Sequence, residues 1–135
     1  MIMRTANRWV TAAVLAAGMS MPAVVHAEDD LKNPFVGNMD AIRQGGALFG
    51  ENCQQCHNSH GKGGKGPTLI RKAWAPGGGN TDGTMYRTIM SGRPNTEMGS
   101  FAMILSSDDV WKIVAYLREE ARRAKIADDR DDDDD

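Results

Sequence analysis

The sequence lacks the patterns of a disulfide framework, a structural zinc site and a phosphate-binding loop. It contains only two cysteines, Cys53 and Cys56, so no further thiol is left for a disulfide once this pair is used. A structural zinc site needs four Cys or His ligands, and beyond His57 only His60 lies close to the pair. The glycine-rich stretch 60–67 lacks the Gly-Lys-Ser/Thr ending of a phosphate-binding loop, and no strand pattern precedes it. These absences disfavour a zinc protein and a nucleotide-binding protein.

The sequence also has no apolar run long enough to cross a membrane. Its longest candidate, Val10–Met19, is well short of the roughly 20 residues that a span needs. Two arginines precede this run, and Val25-His26-Ala27 has small residues where signal peptidase requires them. The pattern predicts a cleaved signal peptide over residues 1–27 and a mature chain that starts at Glu28. We therefore expect a small single-domain protein of the bacterial periplasm, without stable membrane insertion.

The segment Cys53-Gln54-Gln55-Cys56-His57 has the pattern that attaches a c-type haem. Each thiol can add across one vinyl group of the porphyrin, because the two-residue spacer keeps both cysteines on one helical turn. His57 follows directly, so its imidazole can bond the iron from the proximal side. A redox dithiol shares the Cys-x-x-Cys spacing, but it usually opens a helix in an alternating strand–helix pattern, which this sequence lacks. The motif therefore predicts one covalently bound haem c.

Charge is distributed unevenly along the chain, whose net charge is −2. Residues 128–135 are aspartates apart from Arg130 and offer nothing apolar to bury, so we expect a disordered acidic tail. Between Asn52 and Thr81 there is no acidic residue, and the basic ones are Lys62, Lys65, Arg71 and Lys72. Because this segment follows the haem motif, it forms either a solvated loop or a basic collar that steers an acidic partner to the haem edge.

Helical patterns flank the motif. Residues 28–39 are predicted to form an irregular arm, followed by a helix from about Ala41 to Cys53, with Asn38 or Asp40 as its cap. Gly45, Phe49 and Cys53 are spaced by four and share one face of this helix. A glycine inside a helix costs about 1 kcal/mol relative to alanine, so Gly45 suggests close approach by another element.

The element that approaches is predicted at the other end of the chain. Ser106 and Asp109 form a capping-box-like start, and the apolar stripe that follows consists of Val110, Ile113, Val114 and Leu117. A shorter helix runs from Thr81 or Asp82 to Met90 and is ended by Gly92 and Pro94. With no strand pattern, residues 40–127 are predicted to form one all-α domain.

The chain offers several methionines as a second iron ligand. Met98 and Met103 lie in the irregular segment 92–103, which can lay a side chain across the distal haem face. We favour Met98 and keep Met103 as the alternative. His60 is too close in sequence to His57 to cross easily to the far face. The other ring nitrogen of His57 needs an acceptor, and the carbonyl of Pro67 is our candidate.

With these residues identified, the segment from Ala41 to about Arg118 resembles a small class I cytochrome c. The resemblance rests on Gly45, Phe49 and the Cys53–His57 motif, then on Gly66-Pro67-Thr68-Leu69, Met98 and Ile113–Arg118. It implies three to four short helices around one haem, with the N- and C-terminal helices crossing. It also implies that the Pro67 carbonyl accepts a hydrogen bond from His57 and that Met98 completes the iron. Gly99 follows Met98 where the family often has proline, so Met103 stays open as the ligand.

Two shorter motifs resemble a narrower group of cytochromes. Lys32–Gly37 and Gly92–Thr96 are similar to segments of periplasmic cytochromes that take electrons from PQQ-dependent alcohol or methanol dehydrogenases. This likeness implies a one-electron carrier, not an enzyme, that passes electrons to a downstream cytochrome or terminal oxidase. A haem with an open or labile distal site would instead suit a ligand sensor or peroxidase. We expect a monomer that binds no nucleic acid.

Overall fold

The computed structural model describes residues 31–71 and 81–131, with side chains as far as residue 125. The predicted signal peptide 1–27, Lys72 and residues 132–135 lie outside the described residues. Within the described ranges the regular elements are all helical, which confirms the all-α fold class. They are α1 (Met39–Asn52), α2 (Gln54–His57), a 3-10 turn (Ser59–Gly61), α3 (Asp82–Ser91) and α4 (Ser107–Asp131). Among these helices, none is long and apolar enough to cross a membrane.

Helix α1 begins where its cap predicts. The side-chain oxygen of Asn38 accepts hydrogen bonds from the backbone N–H groups of Asp40 and Ala41, at 3.1 and 3.0 Å. Asn38, and not Asp40, is therefore the N-cap. The arm before it is held by Asn33, which is buried and donates from Nδ2 to the backbone oxygen of Trp111 at 2.9 Å. This bond ties the start of the described chain to α4.

Helices α1 and α4 make the most extensive contact in the described part of the molecule. They cross at Gly45, where an added Cβ would overlap the carbonyl oxygen of Lys112. Phe49, one turn further along α1, is fully buried against α4. The glycine thus allows the two backbones to touch, as its position in the sequence predicted.

Helix α3 completes the core from the side. Thr81 caps it through a hydrogen bond from the Thr84 N–H to its hydroxyl, and Gly92 ends it with a φ of +72°. Tyr86 stacks on Trp111 of α4 with ring centroids 4.3 Å apart. The buried core joins the inward faces of α1, α3 and α4: Phe49, Met85, Ile89, Leu105, Val110, Trp111, Ile113, Val114 and Leu117. Trp111 is one of these core residues.

Helix α4 continues further than the sequence predicts. It runs to Asp131, so it includes residues 128–131 of the acidic segment, for which the sequence predicted no helix. Extending a helix adds one hydrogen bond for each residue fixed, whereas nucleation is the costly step, so a well-packed helix can propagate into a polar sequence.

The crossing point leads to a first prediction. Replacing Gly45 by alanine should lower the free energy of unfolding by about 2 kcal/mol or more, because the new methyl group must push two helix backbones apart. Chemical denaturation of the haem-loaded protein, followed by circular dichroism, measures this loss. Gly50→Ala is the matched control, since its Cβ would meet only the end of the Gln54 side chain at 3.8 Å. Equal stability of the two variants would contradict the close crossing.

The start of α4 leads to a second prediction, on pH dependence. Asp109 accepts from the Ser106 hydroxyl at 2.6 Å and from the Ser106 N–H at 3.1 Å, and the hydroxyl bond is the main reason that the pKa of Asp109 is lowered. A lowered folded pKa means that this capping stabilises the protein above the unfolded pKa and that the stabilisation is lost as the pH falls through the folded value.

Asp109→Ala should therefore lower the free energy of unfolding by about 1 kcal/mol at pH 7. The difference in this free energy between the variant and the wild type should shrink below about pH 4. Asp108→Ala removes a neighbouring exposed carboxylate from the same turn and serves as the control. Denaturation curves at several pH values give the comparison. A stability difference that stays constant down to pH 2 would show that the Asp109 charge is not involved.

Candidate functional site: a cavity at the Cys-x-x-Cys-His motif

A cavity of about 430 Å³ lies beside the motif, between α1, α3, α4 and two loops. Its size is within the range of cofactor-binding pockets. The walls are largely apolar and come from elements distant in sequence, including Phe49, Leu69, Ile89, Phe101, Ile113 and Leu117. Such a space can enclose a flat apolar ring system of which only one edge meets solvent.

Cys53, Cys56 and His57 all line this cavity. Cys53 follows the last residue of α1, and the N–H groups of Cys56 and His57 donate to its carbonyl at 3.1 and 3.0 Å. The three side chains therefore belong to a single turn, as the spacing predicted. Cys53 is half-buried, Cys56 is exposed and His57 is buried. The two thiols therefore lie closer to solvent than the imidazole does.

The thiols do not have the electrostatics of a redox dithiol. Burial, and secondarily the nearby Cys56, raise the pKa of Cys53 to about 11. Catalytic Cys-x-x-Cys pairs depend on a lowered pKa, because the thiolate is the nucleophile. Among the residues that the structure describes, there is also no group of three or more His, Cys, Asp or Glu side chains that could hold a bare metal ion. These observations argue against the dithiol and zinc interpretations.

The imidazole of His57 is oriented by the loop that follows it. Its Nδ1 donates to the carbonyl oxygen of Pro67 at 2.9 Å, which is the contact expected from the sequence. Because a carbonyl can only accept, Nδ1 carries the proton and Nε2 is left with its lone pair. The backbone oxygen of His57 in turn accepts from the Gly63 N–H at 2.8 Å. The ring therefore has one nitrogen available to bond a metal.

The two candidate methionines lie in different surroundings. Met98 is half-buried and lines the cavity, whereas Met103 is 96% exposed and is not among the lining residues. The loop around Met98 is held by the Arg93 N–H, which donates to the Met98 carbonyl at 2.8 Å, and by the Met98 N–H, which donates to the Thr96 hydroxyl at 3.1 Å. Met85 is in the hydrophobic core. The geometry thus favours Met98 over Met103.

His60 has a role that the sequence did not suggest. Its Nδ1 lies 2.9 Å from a carboxylate oxygen of Glu120 and 3.3 Å from the Tyr116 hydroxyl, so it ties the turn after the motif to α4. It does not line the cavity. The partners are 60 and 56 residues away along the chain, and no local pattern could have revealed them.

Polar residues of the cavity wall were also missed by the sequence. They include Asn52, Thr88 and Thr96. Thr88 could have been found, because it follows Met85 by three residues on the inward face of α3. Of the basic collar, Lys65 lines the cavity, while Lys62 and Arg71 are exposed. Arg93 lines the cavity as well.

The residues present fit a haem. Two thiols, an imidazole with a free Nε2 and a thioether surround one apolar cavity, and these groups match the attachment and ligation chemistry of c-type haem. The remaining wall supplies apolar contact for the ring.

Comparison with known proteins agrees with this chemistry. A family model described as "Cytochrome C oxidase, cbb3-type, subunit III" matches residues 40–117, more than half of the chain. Cytochrome c-L of Methylorubrum extorquens is 29% identical over 101 residues, which are 75% of this chain and 51% of that protein. The chain therefore spans about half the length of this curated relative.

Two solved structures of cytochrome cL are also similar. That from Methylophaga aminisulfidivorans has a TM-score of 0.62 and 28% identity, over 77% of this chain and 69% of the other. That from Hyphomicrobium denitrificans has a TM-score of 0.61 and 29% identity, over 77% and 61%. The cofactor is accordingly one covalently bound haem c, with Cys53, Cys56 and His57 as the attachment motif. The chain belongs to the family of cytochrome c oxidase, cbb3-type, subunit III, and is a class I c-type cytochrome.

Proposed function

We propose that the protein is a periplasmic one-electron carrier whose haem iron is bonded by His57 and Met98. The observation that carries the proposal is the position of Met98 in the cavity wall, while Met103, the alternative, is 96% exposed. With both axial positions filled by protein, iron has no site for oxygen or peroxide, so electrons move but no substrate bond changes. A thioether ligand also raises the reduction potential, which suits electron transfer.

Export to the periplasm is supported by the signal-peptide pattern of residues 1–27. The mature protein would then start at Glu28, with the arm 28–39 before the haem domain 40–127 and an acidic tail at 128–135. Haem would be added to the exported chain, with each of the two thiols adding across one vinyl group of the porphyrin.

A PQQ-dependent alcohol or methanol dehydrogenase is the proposed donor. Support comes from the likeness of Lys32–Gly37 and Gly92–Thr96 to cytochromes that serve such enzymes, and from the similarity to cytochrome c-L. One of the similar structures is from a bacterium described as methylotrophic. A downstream cytochrome or a terminal oxidase is the proposed acceptor, and the carrier acts as a monomer.

The charges near the cavity indicate how the donor would dock. Lys65 lines the cavity and Lys62 is exposed three residues before it, in a segment without any acidic side chain. A partner with an acidic rim would be attracted to the haem edge by these cations. The electron would then pass through the haem edge next to Cys56, whose side chain is exposed.

Substitution of the proposed ligand gives the first test. In Met98→Ala the reduction potential should fall by on the order of 0.1 V, and carbon monoxide should bind the reduced protein quickly and fully, because the iron loses its sixth ligand. Spectroelectrochemistry and absorption spectra measure both changes. Met103→Ala is the matched control and should leave potential and carbon monoxide binding as in the wild type. Rapid carbon monoxide binding by the wild type would indicate an open-site sensor or peroxidase instead.

The collar gives the second test. The rate at which a purified PQQ-dependent methanol dehydrogenase reduces the protein should fall about tenfold between 0.01 M and 0.15 M salt, because screening weakens the attraction between the proteins. Replacing both Lys62 and Lys65 by glutamine should remove most of this salt dependence. Lys125→Gln changes an exposed lysine in the second half of α4, outside the cavity wall, and should preserve the salt dependence. Rates that ignore ionic strength would rule out electrostatic docking through the collar.

A further inference from the structure

The backbone of Gly66 lies against the face of the His57 imidazole. A Cβ added at Gly66 would be 2.7 Å from Cε1, 2.9 Å from Nδ1 and 3.2 Å from Nε2 of that ring. For Gly61, Gly63 and Gly64 of the same loop, the three nearest atoms to such a Cβ belong to residues other than His57. The hydrogen of Gly66 therefore occupies a space that any other side chain would take from the ligand.

Space, not backbone conformation, requires glycine at this position. Gly61 and Gly63 in the same loop have φ values of +70° and +91°, which L side chains rarely adopt, but the φ of Gly66 is outside that region. The φ of residue 66 therefore does not by itself exclude alanine. What excludes it is the imidazole.

Gly66 cannot move away from the ring easily, because both of its backbone polar groups are bonded. Its N–H donates to the carbonyl of Cys56 at 2.9 Å, and its carbonyl accepts from the Gly64 N–H at 2.9 Å. The next carbonyl, that of Pro67, holds His57 Nδ1 at 2.9 Å. The loop is therefore fastened to the same helical turn that carries the thiols, and an added methyl group would have to displace the ring.

We propose that Gly66 is a positioning residue that sets the rotation of the His57 imidazole about its Cβ–Cγ bond, and so the direction in which Nε2 meets the haem iron. Pro67 fixes one atom of the ring through a hydrogen bond, which still allows the plane to tilt about that bond. Contact with Gly66 removes this freedom. The orientation of the imidazole plane over the porphyrin determines how the ligand field splits the iron orbitals, so Gly66 would act on the redox and magnetic properties of the haem through the His57 ring. This inference rests on the ligation by His57 proposed above.

The test compares haem-loaded Gly66→Ala with the wild type and with Gly64→Ala. Gly64 is in the same loop, but its Cβ would meet the Asn58 side chain and the Cys56 carbonyl instead of the ring. We expect Gly66→Ala to keep its haem and its helical circular dichroism while the g values of the ferric electron paramagnetic resonance spectrum and the reduction potential both shift. Gly64→Ala should keep the wild-type values. Unchanged g values and potential in Gly66→Ala, or equal shifts in both variants, would overturn the proposal.

A second measurement needs no variant and decides the matter if Gly66→Ala does not accumulate. In the reduced wild-type holoprotein, nuclear Overhauser effects should connect the Hε1 proton of His57 with an Hα proton of Gly66, because the Cβ direction points at Cε1. Absence of this effect would overturn the proposal. Failure of His57 ligation itself would be seen separately, as loss of the low-spin spectrum that a His/Met pair gives the wild type.

Discussion

The close approach of α1 and α4 at Gly45 is the constraint on which the haem cavity depends. Because the two backbones meet there, Phe49 of α1 and Cys53 directly after it face the same space as Ile113 and Leu117 of α4. A wider separation would move the first thiol and the apolar wall apart. Helix α3 closes the space from the side through Ile89, and its partly buried ion pair between Asp82 and Arg118, at 2.7 Å, ties it to α4. The haem-binding turn thus starts from the best-packed contact of the fold.

From this crossing the chemistry of the site follows in short steps. The turn after α1 aligns two thiols and His57 on one edge, and the next loop returns to hold the imidazole through Pro67 and Gly66. The loop after α3 brings Met98 to the cavity from another part of the chain. The surroundings are largely apolar, and such surroundings would favour the less charged, reduced iron of a bound haem. A rigid site of this kind suits electron transfer, since little must rearrange when the charge of the iron changes.

Much of the fold could be predicted from sequence because its signals are local. The haem motif, the caps at Asn38 and Ser106 and the apolar stripe of α4 depend on residues within one or two turns. The contacts that could not be predicted join distant segments: Asn33 with the Trp111 carbonyl, and His60 with Glu120. The choice between Met98 and Met103 was open for the same reason, since the path of a loop is decided by what it packs against. The helical extension to Asp131 was not predicted, because the acidic composition of residues 128–131 shows only that they need not be buried. It does not show whether a preceding helix continues through them.

The proposed chemistry requires a haem that is covalently bound to the protein. Intact mass spectrometry under denaturing acidic conditions tests this covalent attachment most directly. The mature protein, purified from the periplasm, should have the mass of the chain from Glu28 to Asp135 plus one haem. Reduction of the protein should not release the haem. The same measurement on the Cys53→Ser/Cys56→Ser double variant should show no retained haem. A wild-type mass equal to that of the polypeptide alone would contradict the account.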